Sequence, residues 1–452
     1  MIIIHLTGGL GNQLFQYAFA RSLAHELDCE LFLDLSLFSH TEKRKHVVFG
    51  LHSFNIKGIP GYYPYTDKTD IGISYPKSNN LMKYVEGLPF PDGIWDYKVV
   101  GDVENITLPA YFEGWYQNQI DDGKTSYLTE NFFKKNNELI HRDLTYSLPL
   151  SENSQRLYED IVKYDSVALH IRHGDYSEYP KFGLCTKQYY QKGIEMLEEE
   201  LENPKFYIFT EDPDWVENLS FNSPFEIINF SEKNNTVSRG YGELLRLMSL
   251  CSHFIIANST FSWWGAFLGE NENKMIISPK PWFQDRTIIE TDTIDNIKTI
   301  NLKNDYSEIY NNSDKVLYDS SKDSTFSFDD SKFIINNISS KSPDSSSIVK
   351  FSFKSRCFNG LRIYYKTKKD SEFSEKNSLN LYYYKDETVN HCLLLPENTL
   401  LDEIMICPYT LKRDVDDYIE MFSIKIKEVG QSKNQKSIIS GLKNSIKRFK
   451  NK

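Results

Sequence analysis

The 452-residue chain has few cysteines, and none is paired in sequence. Cys29, Cys185, Cys251, Cys357, Cys392 and Cys407 are scattered, with no Cys-x-x-Cys. That excludes a cysteine-based zinc site and points to reduced thiols in a cytoplasmic protein. No apolar run reaches the length of a membrane span. Met1–Leu6 is apolar but has no basic flank and no long apolar region, so it reads as a first strand rather than a secretory signal. Basic charge is in deficit: 52 Lys and Arg stand against 63 Asp and Glu, for a net charge of −11. A deficit of that sign excludes broad nucleic-acid binding. One glycine is missing too. Gly9-Leu10-Gly11-Asn12-Gln13 is followed by Leu14, where the dinucleotide fingerprint G-x-G-x-x-G needs its third glycine, so a nicotinamide cofactor is not expected.

What is present is a large apolar fraction, 40% of residues with 14% aromatic, in a chain long enough for two or three domains. The sequence is organised around Val167–Asp175, VALHIRHGD. Its first five residues read as a buried strand. Polar chemistry follows at once: His170, Arg172, His173 and Asp175. In open α/β sheets, ligands collect at the carboxyl ends of parallel strands, and an arginine there suits a phosphate or carboxylate. A surface ion pair at a strand end is the plain alternative.

The flanking segments repeat that arrangement. Met1–Leu6 leads through the glycine loop into helical spacing over Leu14–Leu27, then into a second strand at Glu30–Leu33. Backbone N–H groups at such a helix start would face an anion. Further on, helices are expected at Ser151–Tyr164, Gln188–Leu201 and Tyr241–Cys251, and strands at Phe206–Phe209, Phe254–Ala257 and, as the last, Met275–Ile277. Ser151 is read as a helix cap. Asn258, Ser259 and Thr260 are good cap residues in front of Phe261-Ser262-Trp263-Trp264. Three β-α units thus bring His170, Arg172 and Asp175, then Glu211 and Asp212, then Asn258, Ser259 and Thr260, to one sheet edge. Each cluster alone fits a cap or a turn; together they describe a phosphate-binding cleft. Asp212-Pro213-Asp214 has the form of a metal-holding Asp-x-Asp, but Asp212 as N-cap with Pro213 at the first helical position accounts for it, and no metal is expected. Residues 38–110 show little periodicity. Tyr111–Asn118, with Trp115, Tyr116 and Gln117, joins aromatic faces to amides as sugar-binding surfaces do, and as an aromatic core corner also does.

Beyond about residue 300 the character changes. Asp314–Ser347 is rich in Ser, Asp and Lys and reads as linker or long loops. Six alternating segments follow, Ile348–Phe353, Leu361–Lys366, Leu379–Tyr384, Cys392–Leu395, Glu403–Tyr409 and Glu420–Val429, which predict a small β-sandwich. From Gln431 onward there are seven basic residues and no acid. Ile438, Ile439, Leu442, Ile446 and Phe449 share one helical face, which predicts a basic amphipathic helix and peripheral contact of residues 437–452 with an anionic membrane. The expected divisions are therefore 1–150, 151–300, 301–347, 348–430 and 431–452.

GGLGNQLFQYAFARSLA (Gly8–Ala24), HIRHGD (His170–Asp175), FTEDPDW (Phe209–Trp215) and IIANSTFSWWGAFLG (Ile255–Gly269) resemble the bacterial α-1,2-fucosyltransferases of glycosyltransferase family 11, in order and spacing, across roughly residues 1–300. The resemblance implies an α/β GT-B fold, two Rossmann-like domains facing across a cleft, here followed by the all-β module and the basic terminal helix. It implies GDP-fucose as donor, a galactose-containing glycan acceptor, inversion at the anomeric carbon and no metal or other cofactor; the basic tail at 437–452 would bring the chain close to lipid-linked acceptors. It assigns Arg172 to the β-phosphate and the GDP leaving group. Ser259, Thr260 and the backbone at Phe261 and Ser262 would hold the same diphosphate, with Asn258 and Asp212 beside them. Gly9, Gly11, Asn12 and Gln13 would close on it from the first domain, and His170 would lie toward the guanine. Trp115, Tyr116 and Gln117 would face the acceptor. Two departures stand out. The family pattern HxRRxD has His173 for its second arginine, and its acidic residue seven before Cys251 is here Leu244, with Glu243 adjacent as the guanine contact. Asp175, Glu178 and His173 are the candidates for the base that takes the acceptor proton, with Asp175 preferred. Two other functions fit the residues: a GT-B transferase using another GDP-sugar, and a non-catalytic glycan-binding protein.

Overall fold

The computed structural model describes residues 1–40, 48–61, 85–89, 95–99, 110–112, 118–121, 124–127, 132–173, 176, 182–229, 240–283, 298–303, 306–311, 313, 315–323, 333–336, 338, 346–355, 359–374, 377–383, 388–395, 400–410 and 419–429. Residues 1–173, 185–282 and 288–304 make up one compact unit, and 174–184, 283–287 and 305–452 a second. The boundary expected near residue 150 is therefore a change of sheet inside one unit.

The first unit opens with β1 (Ile2–His5), α1 (Leu10–Glu26), β2 (Leu31–Asp34) and β3 (Ile59–Gly61). Two antiparallel pairs follow, β4 (Val85–Pro89) with β5 (Trp95–Val99) and β7 (Asn118–Asp121) with β8 (Lys124–Tyr127), on either side of β6 (Ala110–Phe112). β3, β2, β1 and β6 lie side by side in that order, every pairing parallel. Parallel strands buried on both faces need continuous apolar sequence, and Ile2, Ile3 and Ile4 supply it.

Next come α2 (Asn137–Asp143), α3 (Glu152–Ile161), β9 (Ser166–Ile171), α4 (Lys187–Glu200), β10 (Lys205–Thr210), β11 (Phe225–Asn229), α5 (Tyr241–Ser249), β12 (His253–Ile255), α6 (Thr260–Phe267), β13 (Met275–Lys280) and β14 (Lys298–Lys303). The second sheet runs β11-β10-β9-β12-β13-β14, all parallel. Counted from β9, that is the order 3-2-1-4-5-6, whose direction reverses between β9 and β12. β9 is buried at every position. β11 and β14 were not expected from the sequence. They are the edge strands of this sheet, and β11 alternates exposed, half-buried and buried positions without a clear apolar run.

α1 joins the two sheets. Thirteen of its 17 residues are buried, polar Gln13, Gln16 and Ser22 among them. A helix enclosed on all sides has no single apolar face to show in sequence. Phe15 reaches α6, with ring centroids 4.7 Å from Trp263 and 5.0 Å from Trp264. Trp264 also stacks on Phe133 at 5.5 Å, and Trp263 on Phe267 at 5.0 Å. The Trp-Trp pair is thus the centre of an aromatic core, both rings fully buried. Aromatic pairs at such spacings stabilise by about 0.5–1.5 kcal/mol beyond their buried area.

In the second unit, α7 (Tyr306–Asn311) precedes β15 (Lys315–Asp319), β16 (Phe333–Ile335), β17 (Ser346–Ser355), β18 (Asn359–Thr367), β19 (Ser378–Tyr383), β20 (Thr388–Leu394), β21 (Leu401–Thr410) and β22 (Ile419–Val429). They form two antiparallel sheets, β15-β22-β17-β20 and β16-β21-β18-β19. Phe351, Ile424 and Ile426 of one sheet share a core with Ile363, Ile404 and Ile406 of the other. β15 and β16 fall where the Ser- and Asp-rich composition predicted linker. Each is a short edge strand, held by β22 and β21 respectively. The predicted amphipathic helix at 437–452 lies outside the described residues.

Gly11 lies at a close approach of α1 and α6. A Cβ there would stand 2.5 Å from Thr260 Oγ1 and 2.6 Å from the Phe261 backbone nitrogen. Alanine favours a helix by about 1 kcal/mol over glycine, whereas overpacking against backbone costs about 1–3 kcal/mol. The clash should win. Gly11→Ala is expected to lower the urea midpoint of unfolding; an unchanged or raised midpoint would contradict this packing.

Candidate active site

The sheet reversal places two strand ends side by side. β9 ends at Ile171 and hands on to Arg172 and His173; β12 ends at Ile255 and leads through Ala257, Asn258 and Ser259 into α6. Ligand sites in doubly wound sheets form at such a reversal.

The register of β9 and β10 sets the charges there. Ile171 pairs with Thr210. One step further, Arg172 stands opposite Glu211 and His173 opposite Asp212. The side chains follow the register: Arg172 Nη1 donates to Glu211 Oε2, and His173 Nδ1 lies 3.6 Å from Asp212 Oδ2. The His173 imidazole also meets the Trp215 ring edge-on, with centroids 4.5 Å apart. His173 beside it holds the Asp212 carboxyl below the usual carboxylate range. His170 is buried, and burial together with the Arg172 charge pushes its imidazole down to about 3. It is therefore neutral at neutral pH, and its ring lies 5.8 Å from that of Phe261.

Asp212 occupies the N-cap of the short 3-10 helix Pro213–Asn218, with Pro213 at its start as expected, and its carboxylate also faces His173. Ser151 behaves similarly. It occupies the N-cap of α3, yet its hydroxyl bonds Ser154 Oγ and the Glu243 carboxylate rather than the helix backbone.

α6 begins at Thr260 with Ser259 at its N-cap, and the Ser259 hydroxyl makes no bond to the helix's own amides. The N-terminus of α1 arrives at the same place: Thr260 Oγ1 donates to Asn12 Oδ1 over 3.1 Å. Two helix N-termini therefore converge. Each carries roughly half a positive charge on N–H groups that have no partner inside the helix, a setting that favours an anion.

The sequence-predicted residues divide on this geometry. Gly11, Asn12, Thr260 and Phe261 meet at the convergence, with Gly9 and Ser259 at the N-caps of the two helices; His170 lies against Phe261, Asn258 Oδ1 accepts from Cys185 Sγ, and Arg172, His173 and Asp212 form the pairs at the ends of β9 and β10. Gln13 is turned away. Its amide donates to Gly8 O at 2.9 Å and Val48 O at 2.8 Å, and accepts from Gly50 N at 3.0 Å. Both donor hydrogens are spent on the backbone, so Gln13 holds the 48–50 segment to the glycine loop. The Ser262 hydroxyl is likewise enclosed, directed at Ala257 O and Ser259 O, both 3.1 Å away. The Glu243 carboxylate accepts from Ser151 N at 2.6 Å, which explains a fully buried acid on α5. Asp175, Glu178, Trp115, Tyr116 and Gln117 lie outside the described residues. Glu211, which holds Arg172, was placed at this edge by the sequence but given no role; the strand register would have assigned it one. A cavity of about 330 Å³ lies at the other end of α6, lined by His141, Tyr146, Arg246 and Glu270 among others, away from the sheet reversal.

Residues 109–298 match the model of Glycosyl transferase family 11. The chain is 32% identical over 298 residues to the O-antigen biosynthesis glycosyltransferase WbnK of Escherichia coli, spanning 62% of this chain and 93% of that protein. It is 29% identical over 296 residues to an alpha-1,2-colitosyltransferase of Escherichia coli, spanning 63% and 93%. Among solved structures it is similar to the fucosyltransferase NodZ from Bradyrhizobium, at 13% identity and a TM-score of 0.35 over 59% of this chain and 93% of that one.

Proposed function

Because the chain belongs to glycosyl transferase family 11, we propose that it transfers L-fucose from GDP-fucose to the 2-hydroxyl of a galactoside during surface-polysaccharide synthesis. The observation that carries this reading is the meeting of the N-termini of α1 and α6, with α6 following the strand that pairs with β9, whose end leads into Arg172. A sugar nucleotide needs its diphosphate held and its departing charge stabilised. The Arg172 guanidinium and the first-turn amides of α6 would do both, stabilising the negative charge that grows on GDP as its bond to the sugar breaks. Ser259, Thr260 and Asn12 would supply polar contacts at the same diphosphate. A carboxylate or imidazole then takes the acceptor hydroxyl proton as the oxygen attacks from the opposite face; Asp175 is our choice. These fixed positive groups do the work a bridging metal would do, so no metal is required. The linkage and the polysaccharide context are supported by what the two Escherichia coli relatives are named for.

The name of the second relative favours one alternative, a related deoxysugar donor in place of fucose. Incubation of the purified chain with GDP-fucose, with and without galactosides, separates the readings. Acceptor-dependent GDP release, unchanged by EDTA, is expected. Release only from another GDP-sugar would keep the transferase and change the donor; no release from any GDP-sugar would leave a glycan-binding protein.

Arg172→Ala should lower kcat by roughly 100-fold or more, the scale of losing one transition-state donor. Arg172→Lys should restore little, because an ammonium lacks the planar fork. Near-normal turnover by folded Arg172→Ala protein would remove Arg172 from this role.

A further inference from the structure

The glycine loop in front of α1 is held from behind by two glutamines. Gln13 and Gln16 stand three residues apart on α1, so they share one side of the helix, and both are fully buried. Gln16 makes a reciprocal pair with Thr7: its Oε1 accepts from Thr7 N at 2.9 Å, and its Nε2 donates to Thr7 Oγ1 at 2.9 Å. Gln13 Nε2 donates to Gly8 O at 2.9 Å and to Val48 O at 2.8 Å, while its Oε1 accepts from Gly50 N at 3.0 Å. Burying a side-chain amide is costly unless its polar atoms are bonded. Three of these five bonds end on one short stretch, Thr7 and Gly8.

The bonds give the loop a direction. Gly8 O is taken by Gln13, and Gly9 O accepts from the backbone nitrogens of Asn12 at 3.0 Å and Gln13 at 3.1 Å. Both glycine carbonyls are thus spent on α1. The N–H groups of Gly8, Gly9, Leu10 and Gly11 meet no hydrogen-bond partner among the described residues. Successive N–H groups left open in this way make a concavity for an anion. The space beside them is open as well, since a Cβ on Gly9 would meet nothing within 4 Å. Gly8 needs its glycine for a φ of 72°. Gly9 has φ −73° and ψ 173°, which any residue adopts, so neither backbone nor packing asks for glycine there.

We propose that Gln13 and Gln16 are positioning residues for the donor diphosphate: they set the Thr7–Gly9 loop before the nucleotide arrives, with its amides and the open space at Gly9 turned to the phosphates. This rests on the reading of the site as a GDP-sugar site and deepens it. Both side chains are enclosed, so neither touches the ligand. They act on the fraction of molecules whose loop is competent to bind, and an apparent dissociation constant rises as that fraction falls. A loop that keeps the held geometry about a tenth of the time binds about tenfold more weakly.

The test is calorimetric titration of the full chain with GDP-fucose, reading dissociation constant and stoichiometry separately. Gln13→Met and Gln16→Met keep the length of the side chain and lose its bonds. Each should raise the dissociation constant about tenfold or more, with the stoichiometry still near that of the wild type. A merely structural role predicts the reverse, a lowered stoichiometry at an unchanged dissociation constant, and that result would overturn the proposal. Thr7→Val and Thr7→Ser form a milder pair should a buried methionine prevent folding. Thr7→Val loses the hydroxyl that Gln16 holds and should bind several-fold more weakly; Thr7→Ser keeps it and should bind as the wild type does. Wild-type affinity in Thr7→Val would overturn the role of Gln16. Gly9→Ala separates ligand space from fold: its urea midpoint should be unchanged or raised, because alanine restricts the unfolded chain, while its affinity falls about tenfold or more. Wild-type affinity in Gly9→Ala would show that the phosphates do not come to this loop and would overturn the proposal. Failure of the wild-type chain itself to bind GDP-fucose would overturn the donor assignment instead, which the titration distinguishes.

Discussion

Two helix N-termini are held against each other where nothing in the backbone itself favours it. α1 and α6 meet at Gly11 and Thr260, so closely that no Cβ fits between them. Each brings about half a positive charge, and like charges at short range repel. The approach is sustained from behind. Phe15, Trp263, Trp264, Phe133 and Phe267 form one buried aromatic core immediately past the junction, and the Asn12-Thr260 hydrogen bond closes the front. The packing offsets the electrostatic cost, and the cost is what makes the place receptive to an anion. The indoles of the Ser-Trp-Trp-Gly run thus set the distance between the helices.

The sheet supplies the rest. Parallel pairing of β9 with β10 carries its register beyond the last ladder bond, so the order of residues after each strand decides which cation meets which carboxylate. Arg172 is pre-positioned by Glu211, and His173 by Asp212 and the Trp215 ring. The site is an edge feature of a rigid scaffold, which suits chemistry that depends on position more than on motion.

Much of this was legible in the sequence for a physical reason. β9 is a central strand and had to be apolar throughout; the glycine loop and the Asn-Ser-Thr turn carry residues that few other settings need. What was hidden depended on partners distant in sequence. The Gln13 amide bonds Val48 and Gly50, 35 and 37 residues away, and the Glu243 carboxylate bonds Ser151, 92 residues away. Neither partner is visible in a local pattern, so both side chains looked like ligand contacts. Edge strands β11, β14, β15 and β16 escaped because a strand paired on one side needs less apolar sequence than a central one, and in β15 and β16 a polar composition masked the alternation.

The central claim is that the α1-α6 junction, together with the end of β9, is where the nucleotide's diphosphate sits. Hydrogen exchange of backbone amides, followed by mass spectrometry with and without saturating GDP, tests it most directly. The account predicts slowed exchange confined to Gly9–Asn12, Arg172–His173 and Ser259–Ser262, with the cavity beside His141 and Arg246 unchanged. Slowed exchange at that cavity, with both helix starts unaffected while GDP is bound, would contradict it.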